Sequence, residues 1–372
     1  MQVNNDIRKA SIPVQEAQFH KFGVYRMSLS DKNENPEPPL LLCDDEGFGD
    51  DYLRSGHKNG FKGAPFDLSC YFLTDLVVSG IGHLFHQGAL LTSPEVMRNY
   101  WEASLPHMPI AHEATLPIRE IETPCVVFAG WGQNVFGHVL MEMFPRIAIT
   151  RFLIENKIPR CRYLLDVRAK IWLKNMLKIS FGIEENEIEY FDPHIERVKL
   201  SKAIVPSFTT QSRLHQDNSI LFDKVRDYSN AGMGGLEIPR LFVSRALLNP
   251  ATAQNSGRVC VNELELCMIA ASDFGFTVIA PETLPWREQI RIFSNAQIVA
   301  GMFGSALHNT VFSPAGARVG AIGAQNQMQS DIAAIRHQHC LYLNVTNLEA
   351  EHTCSVDLEM FKRFLQIITS AH

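Results

Sequence analysis

Short apolar runs of strand type alternate with longer segments of helical period along most of the chain. From Tyr71 to Ser93 the runs DLVVSG, GHLFH and GALLTS are separated by glycines, which predicts a hairpin or small meander. CVVFAG then reads as a strand. Between Val135 and Asn156 the residues Val139, Leu140, Met143, Phe144, Ile147, Phe152 and Leu153 form a helical stripe. Pro145 lies inside it and lacks an N–H to give to the preceding turn, so a kink or two consecutive helices are expected. RYLLDV as strand, AKIWLKNMLKISFG as helix ended by Gly182, and IEYFD and KAIVPSF as strands complete a first alternation.

A polar stretch over 207–239, with GMGG at 232–235, marks the crossing to a second alternation. There RLFVSR, FTVIAP, QIVAG and ARVGAIG read as strands, and VNELELCMIAASDFG and LPWREQIRIFSNA as helices. LYLNV is a last strand, and Val356–Thr369 a closing amphipathic helix. Strands alternating with helices of this length imply parallel βαβ units. The fold class expected is α/β, with two doubly wound, Rossmann-like domains facing a cleft and a β-rich N-terminal extension. We place an irregular extension at 1–65, where DKNENPEPP and CDDEGFGDD are rich in turn formers and acids. A first α/β domain follows at 66–215, a second at 216–350, and the closing helix at 351–372. The acids around Asp44–Asp51 do not have the alternating spacing of a calcium loop.

Composition narrows the class. The 372 residues are 46% hydrophobic and 20% charged with a net charge of −6, which is an ordinary globular balance with no basic footprint for nucleic acid. Eight cysteines without a CxxC read as reduced thiols. The polar start MQVNNDIRKASIPVQ has no leader pattern, and the most apolar region, Val126–Ile154, is broken by charges and a proline. We therefore expect a cytoplasmic protein with no transmembrane segment. His337, His339, Cys340, His352 and Cys354 match no standard zinc spacing, and no metal site is expected.

The most informative stretch is IVAGMFGSALHN, Ile298–Asn309. A strand-type run breaks into the glycines Gly301 and Gly304 and resumes as helix, a turn at which backbone N–H groups from about Ser305 receive an anionic group such as a phosphate. Its company is as telling: NVFGHVLMEMFPR at Asn134–Arg146, PRLFVSR ending at Arg245, RVCVNE ending at Glu263, then GFTVIAPETLPWREQIRIFSNAQIVAG. In order and spacing these segments resemble the family 61 glycosyltransferases, which read N-x-x-H-W-L-x-E-x-L-P-R, I-S-R, N-E, G-F, Q-I and G-x-H-G-x-x-L-x-N. The resemblance covers roughly residues 75–325.

The resemblance implies the GT-B architecture, with 66–215 as the N-terminal acceptor-side domain and 216–350 as the C-terminal nucleotide-sugar-binding domain. It also implies an inverting, metal-independent transferase that moves a sugar from a nucleotide-diphosphate donor, a UDP-sugar by expectation, to a hydroxyl of a glycan acceptor. Surface polysaccharide (capsule) biosynthesis is the implied setting, in the cytoplasm at the inner face of the membrane with peripheral membrane association. Such transfer needs a base for the acceptor hydroxyl and a cradle for the leaving diphosphate. His138 is the candidate base, since it follows Gly137 near a helix start, where the dipole favours the neutral imidazole, and matches the family's histidine. A helix-capping or core histidine is the plain alternative. Glu142 either orients it or is itself the base. Arg245, with its planar donor fork, suits a phosphate. Arg258, Asn262, Glu263, Gly301, Gly304, Ser305, His308 and Asn309 complete the donor-binding candidates, although Glu263 equally suits a first-turn acid complementing its helix dipole. Arg287 reads as a charge on a solvated helix face, and Arg146 equally as a surface charge or an ion-pair partner. Two departures stand out: Phe303 replaces the family's histidine, and the strand ending Gly320-Ala321-Ile322 lacks the usual carboxylate. They leave a second reading open, a catalytically inactive GT-B-like binding or scaffolding protein.

Overall fold

The computed structural model describes residues 2–4, 24–27 and 40–42 and, with short breaks, 68–370; the longest breaks are 98–109 and 248–258. The protein is mixed α/β and divides into two compact units, Met1–Asn33 with Gly63–Tyr228 and Glu34–Lys62 with Ser229–His372. Strands Val24–Met27 and Leu40–Leu42, within the stretch expected to be irregular, are edge strands of different sheets.

The first unit contains β1 (Leu68–Leu73), β2 (Leu76–Ser79), β3 (His83–His86), β4 (Ala89–Leu91), β5 (Ile118–Ile121), β6 (Cys125–Val127), β7 (Arg162–Asp166), β8 (Ile188–Phe191), β9 (Arg197–Leu200) and β10 (Ala203–Pro206). One sheet runs β8-β7-β6-β10-β1 to the edge strand Val24–Met27, and its four strands from β8 to β10 are parallel. The other runs from Gln2–Asn4 through β4-β3-β2-β9-β5 and contains the expected meander as β2, β3 and β4. A shared core joins the two sheets, with Leu76, Val78, Leu84 and Val198 from one meeting Tyr71, Val127, Leu164 and Val205 from the other. A doubly wound sheet has helices on both faces; here the meander sheet covers one face of the parallel strands. The alternate positions Val126, Tyr163, Leu165 and Ile204 are buried as well, as two-sided burial of a parallel sheet requires.

Helices of this unit are α1 (Ile110–Glu113), a continuous run α2 over 136–154, and α3 (Ile171–Phe181), which Gly182 ends at φ 65°. Pro145 does not split α2. The run loosens to π-type turns at Val139–Met143 and Ile149–Ile154, and the Phe144 N–H reaches back to the Val139 carbonyl. The carbonyl that Pro145 cannot serve, that of Met141, accepts the Thr210 hydroxyl at 3.0 Å. Rings of Phe144 and Phe152 pack on Phe181, tying α2 to α3. Helix α4 (Asn218–Asn230) spans the division between units and lies in the stretch read as a polar crossing.

The second unit contains β11 (Arg240–Val243), β12 (Val259–Cys260), β13 (Thr277–Ile279), β14 (Ile298–Met302), β15 (Arg318–Gly323), β16 (His339–Asn344) and β17 (Thr353–Cys354). Its main sheet runs β13-β11-β14-β15-β16 to the edge strand Leu40–Leu42, parallel throughout. The first five of these, numbered along the chain, have the order 2-1-3-4-5 of a doubly wound sheet. Helices α5 (Glu263–Phe274) and α8 (Leu358–Thr369) cover one face, burying Phe242, Ala300, Ile322 and Leu343. Gly320 makes room for α8, because a Cβ there would sit 2.4 Å from the Phe364 ring. Helices α6 (Trp286–Asn295) and α7 (Gln327–Ile335) and the 3₁₀ helix Ser305–Phe312 cover the other face, where Tyr342 on β16 bonds Ser330 on α7 at 2.7 Å. Among the described residues no helix is long and apolar enough to cross a membrane.

Candidate functional site

In a sheet of order 2-1-3-4-5, ligands collect beyond the carboxyl ends of the strands where the order reverses, here between β11 and β14. Ser244 and Arg245 follow β11 there, and Phe303 and Gly304 follow β14. Arg245 reaches across, its Nη1 donating to the Phe303 carbonyl at 3.0 Å. A Cβ on Gly304 would lie 3.0 Å from that nitrogen, so glycine lets the guanidinium approach the turn. Gly301, still inside the strand, is required by a closer approach: its Cβ would fall 2.4 Å from the Val243 carbonyl oxygen.

Glu263, in the first turn of α5, organises the β11 end. Its buried carboxylate accepts the Ser244 hydroxyl at 3.0 Å and the Arg245 backbone N–H. Burial lowers the Arg245 guanidinium from its usual range, and the charges of Glu263 and Glu282 oppose that. Glu282, three residues past β13, thus stands beside Arg245 at the carboxyl end of a neighbouring strand, its own carboxyl pushed up by burial. The 3₁₀ helix opens at Gly304 with no side chain capping it, and Ser305 and His308 on it are half-buried.

Two donor-side candidates are spent on packing. The Asn262 amide is clamped to Val356, giving Nδ2–H to its carbonyl at 2.8 Å and taking its N–H at 3.0 Å. Asn309 is fully buried and donates to Gln289 Oε1 at 3.2 Å, which holds the 3₁₀ helix against α6. Arg258 lies outside the described residues.

In the first unit, the start of α2 carries a histidine–glutamate pair one turn apart. Glu142 accepts from His138 Nδ1 at 3.0 Å, with side-chain exposures of 28% for the imidazole and 4% for the carboxylate. A donating Nδ1–H places the basic lone pair on Nε2. Glu142 is the enclosed member of the pair, and the His138 imidazole is the one open to solvent. One turn on, Arg146 is not a surface charge: it is buried and donates to the carbonyls of Val127, Phe128 and Pro206, at the ends of β6 and β10. Burial lowers it to about 9, and the nearby Glu142 carboxylate counters that. Gly132, at φ +87°, lies against the imidazole; a Cβ there would come within 2.7 Å of His138 Cβ and Cγ.

Residues 136–320 match the family model described as Glycosyltransferase 61, a span that contains both clusters. The chain belongs to glycosyltransferase family 61. A comparison with curated proteins yields no match. Family 61 membership implies glycosyltransferase activity, hence a sugar donor and an acceptor. Of the predicted residues, the structure gathers Arg245, Glu263, Gly301, Gly304 and Ser305 at one switch point and His138 with Glu142 on one helix. Sequence reasoning passed over Ser244, Glu282 and Gly132; the available signal for Glu282 was an acid just past a predicted strand in a family 61 segment, APET. Among the described residues no three His, Cys, Asp or Glu side chains gather as metal ligands, and His352 lies outside them.

Proposed function

We propose that this family 61 enzyme transfers a sugar, with inversion, from a nucleoside-diphosphate donor to a hydroxyl of a glycan acceptor. The observation that carries this reading is Arg245, a half-buried guanidinium brought by Glu263 and Gly304 to the switch point of a parallel sheet. The leaving diphosphate sits on Arg245 and the N–H groups opening the 3₁₀ helix at Ser305, so that its charge is met by a cation and backbone dipoles. Glu282 offers the donor a hydroxyl acceptor in place of the carboxylate that the end of β15 lacks. His138 Nε2 takes the proton of the attacking hydroxyl, and Glu142 stabilises the imidazolium that forms.

This is a GT-B-type division of labour, the first unit supplying the base and the second the donor site. Resemblance supports a UDP-sugar, a metal-independent step, and a surface polysaccharide acceptor met at the inner face of the membrane. Phe303 and Ala321 favour a second reading, a binding protein that has lost turnover.

A thermal-shift panel of UDP, GDP and CMP compounds, with and without EDTA, tests the donor site. Ligand at about 100 times its Kd adds about 2.7 kcal/mol of stability. A base-selective shift that EDTA leaves unchanged is expected. No shift with any nucleotide would overturn the donor reading, and a shift without sugar transfer would favour the binding protein.

A further inference from the structure

Just ahead of Glu263 and α5, the two-residue ladder between β12 and β17 sets Cys260 directly against Cys354. The strands are parallel, so registered side chains leave on the same face; both thiols are buried and reduced, and Cys260 Sγ donates to Asn262 Oδ1 at 3.3 Å. Registered Cα atoms on neighbouring strands lie about 4.8 Å apart, within the roughly 4.4–6.8 Å that a disulfide spans. The ladder cannot drift freely, because Val261 N–H bonds the Cys354 carbonyl at 2.9 Å and Asn262 clamps Val356 from both sides.

The two sulfurs are also unequal. The neighbouring Cys260 side chain lowers Cys354 to about 7 against the effect of burial, while Cys354 and burial push Cys260 up. That is the asymmetry of an attacking thiolate and a resolving thiol. Burial pushes the thiols of Cys70, Cys125, Cys161, Cys267 and Cys340 up, which leaves them inert by comparison. Cys43 lies outside the described residues.

We propose that Cys260 and Cys354 are a redox dithiol that closes to a disulfide under hydrogen peroxide. The Cys354 thiolate attacks one peroxide oxygen, breaks the O–O bond and becomes a sulfenic acid as hydroxide leaves. Cys260 then attacks the Cys354 sulfur, forming the S–S bond and expelling hydroxide. The protons released by the two thiols convert both hydroxides to water: two thiols and one peroxide give one disulfide and two waters, peroxide being reduced and each sulfur oxidised by one electron. The bond staples the strand that leads into α5, and hence into Glu263, to the strand that leads into α8.

The test is peptide mapping of the full chain after one equivalent of hydrogen peroxide, alkylation and digestion without reductant. The expected product is a peptide bearing Cys260 linked to one bearing Cys354, lost on treatment with dithiothreitol and absent from Cys354→Ser. Alkylation of both thiols after peroxide, linkage of either to another cysteine, or Cys354 oxidised beyond sulfenic acid with Cys260 still free would each overturn the proposal. The wild-type map decides the matter even if the variant does not fold.

Discussion

Glu142 holds His138 from one helical turn below, at 3.0 Å, and is itself enclosed while the imidazole is not. The pair sits where α2 loosens into a π-type turn, a local departure from regular helix that recurs at functional positions. His138→Ala should lower kcat by about 10²–10⁴ and leave donor binding intact. Glu142→Gln should lower kcat less, with donor KM unchanged. Steady-state kinetics with calorimetric titration of donor decides both, and full turnover by His138→Ala would remove the histidine from its role.

Gly132 limits where that imidazole can be. Its φ of +87° disfavours a side chain, and a Cβ would meet His138 at 2.7 Å. Gly132→Ala should therefore displace the base and depress kcat while donor affinity stays level. Unchanged kcat would mean that the contact carries no functional weight.

On the donor side, Arg245→Ala removes the guanidinium on which the proposed diphosphate site rests. Nucleoside-diphosphate binding should weaken by about 1.5–3 kcal/mol, roughly ten- to a hundredfold in Kd. Arg245→Lys should recover only part of this, since an ammonium cannot reproduce the fork. Wild-type affinity in the alanine variant would place the diphosphate elsewhere.

Arg146 is a stability element. Arg146→Met strands three buried carbonyls and leaves the Glu142 charge without its neighbour, which should cost about 3–5 kcal/mol in urea unfolding. A loss of less than about 1 kcal/mol would show that the strand ends find other donors.

A second buried pair gives an acid-limb signature. Burial raises the Glu113 carboxyl, but the hydrogen bond and charge of His83 at 2.8 Å, with the Ser79 hydroxyl at 2.9 Å, outweigh it and hold Glu113 below the usual range. A carboxyl so depressed adds stability that is complete above its unfolded value of about 4.3 and is lost as pH falls through the folded one. Glu113→Gln should accordingly be less stable than wild type at pH 7, with the gap narrowing below about pH 4. A gap independent of pH in paired urea titrations would assign the loss to shape alone.

Elements with strong periodicity were legible from residues alone: α3 and α5 end at Gly182 and Gly275 as read, and strands β11, β13, β14, β15 and β16 fall where apolar runs predict them, whereas the short β12 and β17 were not read. Strands such as β5 and β9 were not, because IREI and RVKL alternate charge with apolar residues too briefly. Arg119 on β5 instead pairs with Glu196, just before β9, and with Glu189 on β8 of the other sheet, residues far apart in the chain. The His138–Glu142 spacing was visible, whereas the burial of Arg146 depends on carbonyls at the ends of β6 and β10, strands that no local pattern brings to it. Glu282 matters through its neighbour Arg245, and adjacency across β13 and β11 is a property of strand order that no local pattern encodes.

The chain enters the first unit, contributes Leu40–Leu42 to the second, returns to the first and only then completes the second. Leu40 is registered with Leu341, so an early strand must wait, during synthesis, for almost the whole polypeptide before its partner exists. A single cut at the 228–229 division keeps every strand of the first unit together but carries Leu40–Leu42 away from the second. Truncation there should consequently yield an orphaned edge strand in one fragment and an unfinished sheet in the other, so the second unit is not a module that a cut at its own boundary can exchange.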